Sequence, residues 1–276
     1  MYLRPTTVRD ACAALAGRRF TLLAGGTDHY AARVGKRRDE DILDLTAVAA
    51  LRGIRKERGG WRIGATTTWT DVLTARLPAS FDALKEAARE VGGMQIQNTG
   101  TVAGNLCNAS PAADGVPPLL ALEASVEIAS SGGTRILPLG EFLRGPRRTA
   151  LGAGELVSAI RVPAQAPSAR SRFLKLGARR YLVISIAMVA AAIEVRDKRV
   201  VSARVAVGAC SPIACRLRKL EAALVGARAT GLESVPNEGH LAELKPIDDI
   251  RANAAYRKEA ALTLVRRALN ELGAGA

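Results

Sequence analysis

Apolar and polar residues alternate in two rhythms along the chain, and the change of rhythm marks out the predicted elements. "DACAALAGR" carries small apolar residues at helical spacing and predicts a short amphipathic helix. "RFTLLAGGTDHYAARVG" then reads as a strand, a glycine turn and the start of a helix. "DILDLTAVAALRGIRKERGGWRIGATTTWTDVL" continues with strands and a turn at Gly59-Gly60, and Thr70 or Asp71 is the predicted N-cap of the helix that follows. In "SFDALKEAAREVG" the spacing of Phe81, Leu84, Ala88 and Val91 predicts a helix ending at Gly92-Gly93. "TRILPLGEFLRGPRRTALGAGELVSAIRVP" alternates strands and turns up to Pro163.

The segment "AQAPSARS" (164–171) holds one proline among small residues, directly after Pro163, and is the predicted domain boundary. Beyond it, "RFLKLGARRYLVISIAMVAAAIEVRDKRVVSARVAVGAC" reads as a meander of strands with a turn at "RDKR". The apolar run "YLVISIAMVAAAIEV" is too short for the roughly 18 apolar residues of a membrane span and reads as a buried strand or helix. "RLRKLEAALVG" and "NAAYRKEAALTLVRRALNELG" close the chain as amphipathic helices, so the class is α+β.

Two glycine loops carry the chemistry. "TLLAGGTD" ends a strand in two glycines and a hydroxyl, and "NTGTVAGN" lies about 75 residues further on with two more glycines, two threonines and two asparagines. No Lys-Ser/Thr follows either, which excludes a Walker loop, and neither has the G-x-G-x-x-G spacing of a Rossmann turn. Small residues still let several backbone N–H groups point at one anion. Two such loops can clamp a pyrophosphate from both sides with amides and hydroxyls in place of lysine.

Composition narrows the partners. The net charge is +14, but the basic residues are dispersed, with acids beside bases in "GKRRDEDILD", and only 4% of residues are aromatic. That argues against a nucleic-acid platform and for acidic partner subunits. Four cysteines (12, 107, 210, 215) without C-x-x-C spacing read as buried reduced thiols, and two histidines are too few for a metal site. The N-terminus has no apolar signal core, so a cytoplasmic protein without a membrane span is expected.

The order of "LLAGGTD", "IGATTTWTDV", "QIQNTGTVAGNLCNASPAADGVPPLLALEA", "KLGARRYLVISIAMVA" and "PIDDIRANAAYRKEAALTLVRRAL" resembles the FAD-binding (medium) subunit of the molybdenum hydroxylases, the family of bacterial xanthine dehydrogenases and aerobic carbon monoxide dehydrogenases. The resemblance implies a PCMH-type FAD-binding domain over 1–165, with subdomains of about 1–55 and 56–165, and over 170–276 a smaller α+β domain like the C-terminal domain of carbon monoxide dehydrogenase flavoproteins. It assigns Ala24, Gly25, Gly26, Thr27 and Asp28 to the first pyrophosphate loop, with Leu22 against the isoalloxazine. His29 follows the loop, as an amide contributor in preference to a flavin attachment point. Thr101, Val102, Ala103, Gly104 and Asn105 match the second loop; relatives often have glycine where this chain has Ala103. Asn108 and Asp114 fall where the family contacts phosphate and ribose, with a helix cap as the structural alternative for Asp114. Leu156 and Val91 match the adenine faces. Lys175 and Ile184 match positions beside the flavin, against a surface lysine and core packing as their alternatives.

No catalytic residue and no metal ligand is implied in this chain. Molybdopterin and two [2Fe–2S] clusters belong, on the resemblance, to a large molybdenum subunit and a small iron–sulfur subunit, assembled as a dimer of heterotrimers. Electrons would pass from the clusters to FAD and on to NAD⁺, oxygen or another acceptor. Two rivals are a stand-alone FAD-dependent oxidase and a basic nucleic-acid-binding protein, and the latter leaves the paired glycine loops unexplained.

Overall fold

The computed structural model describes residues 1–32, 34 and 40–275. The "GKRRD" half of the mixed-charge run, whose Gly35 ends the predicted helix start, lies outside the described residues. The fold is α+β, built on three main sheets.

The first sheet is small and parallel, with Ile42–Asp44 between Tyr2–Leu3 and Thr21–Leu23. Parallel neighbours need a crossover, and the helix Val8–Gly17 provides it between the two outer strands. Its apolar face buries Ala11, Cys12 and Leu15, and Thr7 caps its start by accepting from the Asp10 amide at 3.1 Å. Parallel strands end together, so Leu23 delivers the first glycine loop beside Asp44.

The second sheet is antiparallel, in the order Ile54–Glu57, Gly60–Gly64, Leu156–Pro163, Ser125–Ser130, Gly133–Pro138. Between Gly64 and Ser125 the chain makes five helices, Trp69–Thr74, Asp82–Glu90, Met94–Thr99, Val102–Asn108 and Val116–Ala121. They pack with the sheet around Trp69, Phe81, Leu84, Leu106 and Leu119. The helix Trp69–Thr74 corrects the predicted cap. Its N-cap is Thr68, whose hydroxyl accepts from the Asp71 amide (3.2 Å) while the Asp71 carboxylate accepts from the Thr68 amide (2.9 Å), a reciprocal capping box. Asp71 is therefore the third helical residue and Thr70 the second. A short helix, Leu139–Phe142, also interrupts the predicted alternation of strands and turns, because Leu139 and Phe142 point together into the core.

The third sheet is the expected meander: Arg170–Leu176, Ala187–Arg196, Arg199–Gly208 and Cys215–Arg216. Asp197 and Lys198 both take positive φ in the tight turn, as a two-residue hairpin requires. The apolar run resolves as a strand covered on both faces. Ala187, Val189, Ala191 and Ile193 face the helices Arg218–Leu224 and Ala254–Ala274. Met188, Ala190 and Ala192 face Ala83, Ala87 and Ala121 of the preceding helices. Double coverage removes the polar alternation that normally reveals a strand.

Candidate functional site

The first loop leaves strand Thr21–Leu23 through Ala24 and Gly25. Gly26 (φ 68°) then turns the chain into the helix Thr27–Ala31 as its N-cap, without a side-chain cap. Only glycine takes that conformation freely. The second loop follows Met94–Thr99. Gly100 turns the chain, and Thr101 caps Val102–Asn108 by accepting from the Gly104 amide at 3.0 Å. Val102 donates to the Thr67 carbonyl (2.9 Å), Trp69 donates to the Gly100 carbonyl (3.2 Å), and Thr68 and Thr101 form an antiparallel bridge.

These two loops touch. A Cβ on Gly25 would lie 2.1 Å from the Thr99 carbonyl oxygen and 2.9 Å from Gly100 Cα, and a Cβ on Gly100 would lie 3.6 Å from Thr27 Oγ1. Backbone packs on backbone, which only glycine permits. The first-turn amides of a helix lack intrahelical acceptors by geometry and suit an anion. At the second helix those of Val102 and Gly104 are already taken, by the Thr67 carbonyl and Thr101 Oγ1, and Ala103, 4% exposed, can offer a ligand its backbone only.

A second cluster forms around Asp114. Its carboxylate accepts from Lys175 Nζ at 2.7 Å and from Ser185 Oγ at 2.6 Å, and Lys175 also donates to the Glu90 carbonyl at 3.3 Å. Burial pushes the Asp114 carboxyl up from its ordinary value, and the Lys175 ammonium and the two hydrogen bonds work against that rise. Asp114 is not a helix cap: Gly115 occupies the N-cap of Val116–Ala121. Lys175 is not a surface lysine, since its side chain is 6% exposed. Ile184 is not packed in the core and stands 52% exposed. Ser185, overlooked in the sequence, is the single serine in an apolar run, and that isolation was its signal.

The remaining predicted residues are spread around these two clusters. Asn105 Oδ1 accepts from the Gly115 amide at 3.3 Å and so links the second loop to the Asp114 turn. Asn108, at the far end of the clamp helix, accepts from the Arg147 guanidinium through its side chain and, at 3.4 Å, through its carbonyl. Asp28 is exposed, and Leu22 is half-buried against the N-terminal core. His29 lies edge-on to Tyr30, with Nε2 3.7 Å from Glu40 Oε1. Leu156 is fully buried within its strand and presents no open face, while Val91 is half-buried. Among the cysteines, Cys12 and Cys210 are buried as expected, but Cys107 is exposed and Cys215 half-buried.

With this geometry in hand, comparison with known proteins is specific. Residues 1–165 match the family model described as the FAD binding domain in molybdopterin dehydrogenase, and residues 172–272 match the CO dehydrogenase flavoprotein C-terminal domain. A putative xanthine dehydrogenase FAD-binding subunit of Escherichia coli strain K12 is 33% identical over 291 residues, covering 100% of this chain and 96% of the relative. The carbon monoxide dehydrogenase medium chain of Hydrogenophaga pseudoflava is 31% identical, covering 98% and 95%. Among solved structures, the cyanide-inactivated Cu,Mo-CO dehydrogenase superposes with a TM-score of 0.93 at 27% identity, covering 100% of this chain and 98% of that one. No helix among the described residues is long and apolar enough to cross a membrane.

Proposed function

The chain belongs to the FAD-binding subunits of the molybdenum hydroxylases, and from that premise we propose that it is the electron-exit subunit of such an enzyme. Substrate oxidation takes place on a large molybdenum subunit, a small subunit with two [2Fe–2S] clusters delivers the electrons here, and NAD⁺, oxygen or another acceptor removes them. The working assembly is a dimer of heterotrimers in the cytoplasm. Residues 1–165 form the FAD-binding unit and 170–276 the unit that closes against it.

The observation that carries this reading is the contact between the two glycine loops. A pyrophosphate carries two negative charges, and a junction of backbone amides and threonine hydroxyls satisfies them without a lysine. Ala24–Asp28 and Thr101–Asn105 hold the phosphates. At the other cluster, Asp114 orients Lys175, whose buried ammonium, balanced by that carboxylate, places a hydrogen-bond donor at the flavin end. Exposed Ile184 supplies an apolar contact there. When bound, FAD supplies a ring that exchanges electrons singly or in pairs, so one-electron donors can serve a two-electron acceptor. No side chain of this chain needs to act as an acid or base.

The test is the absorption spectrum of the purified chain, followed by release and identification of its chromophore. Releasable FAD is the expected result. FMN or a covalently attached flavin would sink the assignment, as would a colourless chain that takes up no FAD even with its partner subunits. Turnover of a reduced substrate by the isolated chain would favour the stand-alone oxidase.

A further inference from the structure

Two glycines beside the candidate site have backbone angles open to any residue, Gly100 at φ −62° and Gly115 at φ −75°. Their missing side chains therefore answer to space, and the same indole borders both positions. A Cβ on Gly115 would lie 2.5 Å from Trp69 Cη2 and 3.2 Å from Cζ2, on the six-membered ring, with Asn105 Oδ1 at 2.9 Å beside them. A Cβ on Gly100 would meet the Ile96 carbonyl oxygen at 2.9 Å and would rest in ordinary contact, 3.5 Å, with Trp69 Cδ1 on the five-membered ring. Gly100 is the residue on which Gly25 rests, and Gly115 follows Asp114. One ring thus spans from the junction of the two loops to the turn that carries the Asp114–Lys175 pair.

We infer that Trp69 is a positioning residue for FAD: its indole is the spacer that sets the separation between the pyrophosphate clamp and the Asp114–Lys175 end. The inference rests on the FAD reading above and deepens it. Trp69 is 1% exposed, and its backbone is pinned to Gly100. The adjacent Thr68–Thr101 bridge holds the same segment. A rigid ring in an interior packed at crystal density does not compress, so a shift at one edge is transmitted to the other. The spacing matters to a ligand that engages both ends, which FAD does and riboflavin, lacking the phosphates, does not.

The test uses the full chain loaded with FAD or with riboflavin, and the variants Gly115→Ala, Trp69→Phe and the pair. Gly115→Ala drives a methyl into the indole edge and should speed FAD release, read from the rise of free-flavin fluorescence, by about tenfold, with a shift in the bound-flavin absorption band. Trp69→Phe removes the Cη2–Cζ2 edge, so the pair should recover most of the lost retention even though its apoprotein melts lower than wild type. Trp69→Phe alone should narrow the preference for FAD over riboflavin by about tenfold, and it carries the test if Gly115→Ala does not fold. A merely structural role would lower the melting temperature and leave the FAD-to-riboflavin ratio unchanged. That result, or a pair that releases FAD faster than Gly115→Ala alone, would overturn the inference while the FAD reading stands. A wild-type chain that binds no FAD would remove both.

Discussion

The two ends of the site are held by opposite means. At the clamp, Gly25 lies on the Thr99 carbonyl, the second loop is stitched to Thr67 and Trp69 by amide-to-carbonyl bonds, and Thr101 adds one hydroxyl. At the other end a carboxylate and an ammonium, each under a tenth exposed, face each other 2.7 Å apart, with Ser185 completing the carboxylate. Close-packed backbone has no room for an added atom, whereas a buried ion pair cannot lose a member. The clamp should therefore be sensitive to addition and the charged end to removal, and that difference is open to direct attack.

The largest effect is expected at the charged end. Lys175→Ala leaves Asp114 buried without its counter-charge, which typically costs about 3–5 kcal/mol of unfolding free energy. Replacing both members with apolar residues of similar volume, Asp114→Leu with Lys175→Met, should recover much of that loss, because the penalty belongs to the orphaned charge. Urea unfolding of the apoprotein measures both. If the double variant proves as unstable as the single one, the pair is held by packing and the contrast between the two ends fails.

At the clamp the corresponding change is Gly25→Ala. The new methyl would overlap the Thr99 carbonyl oxygen, a backbone atom that cannot rotate away, so the loops must part. Overpacking of this kind typically costs about 1–3 kcal/mol. The more telling readout is FAD retention, which should fall more than stability does, since the parted loops no longer converge on one anion. A Gly25→Ala protein that retains FAD like wild type would mean that the clamp is adjustable.

How much of this was legible in the sequence follows from the range of the forces involved. The strand–glycine–helix pattern of the first loop and the meander of the C-terminal region depend on neighbours in the chain, and both were readable from local spacing. Lys175 and Ile184 were not. The charge is buried because Asp114, 61 residues earlier, neutralises it, and nothing local to "KLGARRYLVISI" announces that partner. The cap of the helix Trp69–Thr74 moved to Thr68 for a similar reason: the Thr68–Thr101 bridge fixes the extended residue from which the helix starts. Trp69 carries no signal of its own in the sequence, and only the collision at Gly115 and the contact at Gly100 reveal what it separates.

The smallest expected effect tests whether the second loop is preformed. Thr101 accepts from the Gly104 amide, whereas the helix after the first loop has no side-chain cap at all. Thr101→Ala removes that acceptor and should cost about 1 kcal/mol, with Thr101→Ser close to wild type because the hydroxyl remains. The loops differ further in their support, since the second is also bonded to Thr67 and Trp69. If the second loop is the rigid template on which Gly25 rests, hydrogen exchange in the Thr101→Ala chain should quicken at residues 24–28 as well as at 101–105. Exchange confined to 101–105 would mean that each loop keeps its own shape, and that the contact at Gly25 records their proximity without coupling them.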